Sequence, residues 1–291
     1  MRTGLTDVDL KTQLLSVASA LHPGGTPFVS VVELAKKLGT TVSLRLQGSR
    51  SANTAQIDLW TTPARIVLHR FSKVEGEREI VANEETLLTS RERFSIAHEL
   101  GHWVLFTRFQ IGPQSHSRLY WEQEEAVNAF AGQLLIPDWL STSWLQEVPE
   151  AMPVPPFSIR FWAEQCRVSE EVVARALVAK RESVGFLRLY PTRRKRDGAP
   201  VLQVLSCASG SAVELPSVRS FIADTVLYEL LQANRVGSRW FSSLGLGRCK
   251  PQDLGLSWRR AKRWHSQETT WLSILKGTTA DSSFYAGALF E

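Results

Sequence analysis

Apolar and polar positions alternate with two different periods along this chain, and the period changes mark its organisation. Leu10 to Leu21 carries helical spacing and stops at the breaker His22-Pro23-Gly24-Gly25. Ser30 and Glu33 stand at capping-box spacing ahead of a second helix, Val31 to Leu38, with Gly39 as its C-terminal cap. Val42, Leu44 and Leu46 alternate with polar residues, as a half-buried strand does. Ile57 to Trp60 and Arg65 to His69 read as two further strands joined through Thr61 to Ala64.

Helical periods dominate from there: Arg91 to Thr107, Glu122 to Leu135, Pro137 to Gln146, and a pair between Ser158 and Glu182. Pro149 to Pro156 is a proline-rich connector. Past Ser183, Val184 to Tyr190 and Val201 to Ser206 read as strands around a basic turn. Helices are expected at Val218 to Ala233 and Trp258 to Lys276, the latter with Trp258, Ala261, Trp264 and Trp271 on one face. The fold class is therefore α+β, followed by a mixed α/β C-terminal part.

Composition adds limits. With 43% hydrophobic and 22% charged residues in 291, this is the make-up of a globular protein of one or two domains. No apolar run is long enough for a membrane span, and Met1 to Leu10 lacks a signal-peptide core. A cytoplasmic location is expected. The three cysteines, Cys166, Cys207 and Cys249, show no ligand spacing and suit reduced thiols. Charge divides unevenly: residues 184–291 hold 15 Lys+Arg against 8 Asp+Glu, while residues 1–183 are slightly acidic. That split predicts a domain at 1–183, including a helix-turn-helix-like segment at 158–182, and a basic domain at 184–291. A basic surface can meet nucleic acid or an acidic protein. Two local features carry little chemistry. Glu170, Glu171 and Glu182 argue against DNA contact by the 158–182 segment, and Arg193-Arg194-Lys195-Arg196 reads most simply as a solvated hairpin turn.

The chemistry concentrates in Phe94-Ser95-Ile96-Ala97-His98-Glu99-Leu100-Gly101-His102. Histidines four apart on a helix share a face and can reach one ion, and neutral imidazole suits Zn²⁺. Glu99 lies about 100° further round the helix, where it can take a proton from water at an open coordination position. Phe94, Ala97, Gly101, Val104 and Leu105 form the apolar stripe that seats this helix. A third ligand has to come from elsewhere. Among Glu122, Glu124 and Glu125, helical register puts Glu124 on the stripe of Val127, Ala131, Leu134 and Leu135, with Asn128 one turn on. A carboxylate there needs a cation, and Asn128 can orient a histidine ligand. Glu122 and Glu125 read as a solvated first turn. His116, in a polar loop, is the rival ligand.

These two helices resemble the ImmA/IrrE family of metallopeptidases. The matching residues are Arg93 through His102, then Glu124, Asn128, Phe130-Ala131 and Leu134-Leu135-Ile136-Pro137, with Val127 where the family usually has alanine. The resemblance implies a zincin-like peptidase domain over roughly 1–182, with His98, His102 and Glu124 as ligands and Glu99 as general base. It implies an endopeptidase that cuts a helix-turn-helix repressor in a bacterial stress or mobile-element circuit, with a sensor-like domain beyond Ser183. Two other readings stand beside it. One is a DNA-binding or sensor protein on a zincin scaffold, which would have no need of Glu99. The other is a toxin–antitoxin component.

Overall fold

The structure, a computed structural model, describes residues 7–47, 55–58, 63–71, 78–81, 85–112, 123–150, 154–193, 197–211, 215, 217–218, 221–222, 237–241, 270–276 and 284–289. Two compact units emerge: Met1–Leu140 with Ala163–Val172, and Ser141–Trp162 with Val173–Glu291.

In the first unit, α1 (Asp7–Leu21) and α2 (Val31–Lys37) precede β1 (Thr40–Gln47), β2 (Ala55–Asp58), β3 (Ala64–Phe71) and β4 (Arg78–Val81). The strands form one sheet in the order β2-β3-β1-β4. β1 and β3 run parallel, and the outer strands are antiparallel to their neighbours. Register places Val42 beside Ile66 and Leu44 beside Leu68, all buried, so the alternation visible in the sequence becomes the sheet's inner face. Next come a 3₁₀ turn at Glu85–Leu87, α3 (Ser90–Phe109) and α4 (Glu124–Leu135). α3 lies against α4 and β2, and α1 covers α4. Lys11 and Ser19 of α1 bond Glu125 and Gln133 of α4 at 2.8 and 2.9 Å.

The end of α2 is as expected: Gly39 has φ +77° and its N–H reaches Lys36. Its beginning differs. Ser30 accepts from the Glu33 N–H, but the Glu33 carboxylate turns to Lys36. The reciprocal partner is Glu85, which accepts from the Ser30 hydroxyl and from the N–H groups of Val31 and Val32. A residue 55 positions away has the better reach, and it ties the 3₁₀ turn to α2.

α5 (Asp138–Gln146), α6 (Pro156–Cys166) and α7 (Glu170–Val178) each run from one unit into the other. The second unit's sheet has six antiparallel strands in the order β7-β6-β5-β9-β10-β8. These are β5 (Val184–Arg193), β6 (Pro200–Ser209), β7 (Phe221–Ile222), β8 (Gly237–Phe241), β9 (Thr270–Lys276) and β10 (Phe284–Leu289). β5 takes in the expected strand Val184 to Tyr190, and its Phe186 and Leu187 are buried on opposite faces. β5 and β6 close a hairpin with Arg193 opposite Pro200, and the rest of the basic run, Arg194, Lys195 and Arg196, lies outside the described residues. Gly198, between the two strands, has φ +69°, and Asp197 accepts from the Ala199 N–H.

Two helix expectations fail. Thr270–Lys276, the end of the expected Trp258–Lys276 helix, is β9, and Trp271 pairs with Arg188 and Leu289 across strands. Phe221–Ile222, inside the expected Val218–Ala233 helix, is β7, while residues 223–233 lie outside the described residues. A seven-residue apolar run fits either period, and pairing on both sides decides for the strand. Trp258, Ala261 and Trp264 lie outside the described residues, as does Cys249. Among the described residues every element past Ser183 is a strand, so a mixed α/β second half is not what they form. No helix among them is long and apolar enough to cross a membrane.

Candidate metal centre

α3 is built to start at one point. Thr89 caps it, accepting from the Glu92 N–H, while Glu92 accepts from the Thr89 N–H, a complete capping box. Arg70 of β3 clamps the Glu92 carboxylate at 2.8 and 2.7 Å. One residue on, Arg93 is wholly buried. Its guanidinium donates to Glu85 and to the carbonyls of Val29, Cys166 and Arg167, and lies over the Phe28 ring. A buried charge persists only with such complete pairing. The helix ends at Gln110, φ 57°, whose N–H returns to Leu105. The expected stripe holds for Ala97, Gly101, Val104 and Leu105, but Ile96 and Leu100 are fully buried while Phe94 is only half so. The helix is seated on more than one side, against sheet and α4 together.

On this helix His98 and His102 bring their Nε2 atoms to 3.1 Å. Glu124, first residue of α4, completes the cluster: its Oε2 lies 3.3 Å from His98 Nε2 and its Oε1 lies 3.2 Å from His102 Nε2. Among the described residues these three are the group whose ligand atoms converge in this way. Asn128, one turn along α4, places its Oδ1 3.1 Å from His98 Nδ1. An amide oxygen accepts only, so Nδ1 carries the proton and the Nε2 lone pair faces the cluster. His102 is neutral. Burial, then the neighbouring His98, pushes its pKa down to about 4, so its approach to Glu124 is no ion pair near neutral pH.

Two lone pairs and a carboxylate pointing at one spot repel unless a cation lies between them. The spacing tests which. Ligand atoms about 2.0–2.1 Å from a tetrahedral ion stand roughly 3.3 Å apart. The 3.1 Å between the two Nε2 atoms is close to that figure, each Glu124 oxygen stands at a similar distance from one of the histidines, and the donor set of two imidazoles and a carboxylate suits zinc.

Glu99 points elsewhere. Its Oε2 accepts from the Ile57 N–H of β2, the edge strand, at 3.0 Å. Burial pushes its carboxyl up to about 7, the Ile57 hydrogen bond pulls the other way, and the Glu124 charge adds to the rise. A divalent cation beside it would counter that rise.

The structure thus brings His98, Glu99, His102, Glu124 and Asn128 together. It leaves Glu125 out, exposed and paired with Lys11. Glu122 and His116 lie outside the described residues. Glu124 lies with the two histidines, but not on the face that the register argument gave it. Its side chain is 40% exposed and Asn128 is exposed too, so both stand at the rim of the buried stripe, not within it. Sequence reasoning missed the Ile57 N–H, since a backbone donor leaves no mark on residue identity. It also missed the anchoring by Arg93 and Glu85, whose charges break the apolar period.

Residues 57–178 match the family model of the IrrE N-terminal-like domain, a peptidase family. The match takes in all five of these residues and begins after β1, although β1 lies between β3 and β4 in the sheet. No curated protein matches the chain.

Proposed function

Residues 57–178 place this chain in the ImmA/IrrE peptidase family, and on that premise we propose that it is a zinc-dependent endopeptidase. The convergence of His98, His102 and Glu124 beside Glu99 carries the reading. These three residues would hold the metal. Zinc bound there would act as a Lewis acid toward the scissile carbonyl and acidify water to near neutrality. Asn128 fixes the His98 ring so that Nε2 presents its lone pair. Glu99 takes the proton from the attacking water and returns it to the departing amine. The Ile57 N–H holds one carboxylate oxygen, leaving the other for the proton. A module that only bound DNA or a signal would have no use for a base at this place.

The same proposal extends to substrate and setting. The target is a specific regulator, a helix-turn-helix repressor, cut in the cytoplasm within a bacterial stress or mobile-element response. Residues 1–183 would carry the catalysis, and the basic 184–291 part would select substrate, sense a signal or meet nucleic acid.

The test is a separation of ligand from base. Wild-type protein should hold about one zinc per chain, and His98→Ala or His102→Ala should lose it by elemental analysis. Glu99→Gln should keep the metal and no longer cut the repressor-like product of a neighbouring gene. Full metal retention in both histidine variants would overturn the site; unchanged cleavage by Glu99→Gln would overturn the base.

A further inference from the structure

α3 has a single glycine in twenty residues, Gly101, and it lies between the two histidines. A mid-helix glycine weakens a helix relative to alanine, so its presence calls for a local reason. The reason is across the interface. A methyl placed on Gly101 would sit 2.9 Å from Val127 Cγ1 and 3.0 Å from Phe130 Cδ1 of α4. Carbon atoms in contact prefer about 3.5–4.0 Å. Neither neighbour can step aside: both are wholly buried, and a valine in a helix has essentially one rotamer. An added methyl would therefore move the helices apart or turn them.

The place of this contact matters more than its tightness. Val127 lies between Glu124 and Asn128 in sequence, and these residues make the contacts from α4 to the histidines. The spacing of α3 and α4 at Gly101 therefore sets the distances across the cluster, 3.1 to 3.3 Å. Metal–ligand bonds tolerate errors of only about 0.2 Å, whereas relieving the clash takes several tenths of an ångström. Gly132 of α4 is the internal contrast, since a methyl there meets nothing within 4 Å.

We propose that Gly101 is a positioning residue whose missing side chain, seated against Val127, gauges the α3–α4 spacing to which the metal centre is tuned. The inference rests on the metal reading of the preceding section. It is tested by zinc affinity, measured by competition with a chromophoric chelator in the full chain, and by the visible spectrum of the Co²⁺-loaded protein. Gly101→Ala should bind zinc about 10- to 100-fold more weakly, the scale of losses when ligand orientation is disturbed. Its Co²⁺ absorption should lose the intensity of a four-coordinate site. Gly101→Ala with Val127→Ala, which removes the nearer obstruction and leaves the Phe130 ring room to turn aside, should recover most of the lost affinity. Gly132→Ala, with the same gain in helix propensity, should leave affinity unchanged. Wild-type affinity in Gly101→Ala, or a double variant as weak as the single one, would overturn the proposal while leaving the metal reading standing. A wild-type chain that binds no zinc would overturn both. If Gly101→Ala alone does not fold, a folded double variant with restored affinity still supports the gauge, and a double variant that also fails to fold sinks it.

Discussion

Replacing Arg93 tests how α3, the helix of the candidate metal centre, is held. The guanidinium makes four hydrogen bonds in a fixed fork, to Glu85 and to the carbonyls of Val29, Cys166 and Arg167, and no part of it reaches solvent. Lysine keeps the charge but concentrates its donors at one point, so at least two of the three carbonyls would lose their partner. At about 1–3 kcal/mol for each buried acceptor left unsatisfied, two lost partners in Arg93→Lys should cost roughly 2–6 kcal/mol. Arg93→Met also strands the Glu85 carboxylate. The hydrogen bonds Glu85 receives from Ser30, Val31 and Val32 offset part of that, which suggests the lower end of the usual range, about 3 kcal/mol more. Against a typical stability of about 5–15 kcal/mol, lysine should be tolerated and methionine should bring the first unit near unfolding. Urea titration followed by far-ultraviolet circular dichroism gives the midpoints, and hydrogen exchange on α3 peptides shows whether the loss is local. An Arg93→Lys midpoint equal to wild type would show that charge alone suffices and that the fork is incidental. Equal losses in the lysine and methionine variants would refute the count of acceptors.

Three further outcomes are expected. Burial alone would raise the Glu92 carboxyl, but Arg70 and Thr89 outweigh it and hold it below its ordinary 4.5. Its contribution to stability is thus present above about pH 4.5 and lost as pH falls through the lower folded value, so the stability gap between wild type and Glu92→Gln should narrow from about pH 6 to about pH 3; a constant gap would contradict this. Burial pushes the Cys166 thiol up to about 12, so iodoacetamide at mildly alkaline pH should modify the less buried Cys207 first and reach Cys166 only in urea, as peptide mass mapping would show. Ile57→Pro deletes the donor to Glu99 on an edge strand, where proline is tolerated, and should lower turnover about 10- to 100-fold with zinc content unchanged; full turnover would mean that Glu99 needs no such support.

What could be seen in the sequence was whatever leaves a period or a spacing. The alternation of Val42, Leu44 and Leu46 is a strand, the stop at Gly39 is a cap, and the His98–His102 spacing gives two of the three side chains of the candidate metal centre. The remainder depended on partners distant in the chain. Glu85 displaces the local capping partner of Ser30 because tertiary folding brings it there. β9 looked helical because a run with tryptophans at helical spacing precedes it, yet its neighbours are β5 and β10. β4, β8 and β10 escaped notice, being short and without clean alternation. Arg93 was visible as a motif residue, but its role required knowing that Val29 and Cys166 converge on it from both sides of the chain.

The strand order of the second sheet bears on how the protein is made. β5 lies between β6 and β9, and β9 is synthesised only after the residues from 194 to 269 have followed β5 out of the ribosome. At ordinary elongation rates that interval is several seconds. Throughout it, a strand with Phe186 and Leu187 on opposite faces presents one unpaired edge, the kind of template that recruits other chains. Messages truncated within that interval should therefore yield aggregating products, whereas release after Leu289 lets β9 and β10 close the edge. Chaperone demand during expression should follow the emergence of β5 and end with that of β9.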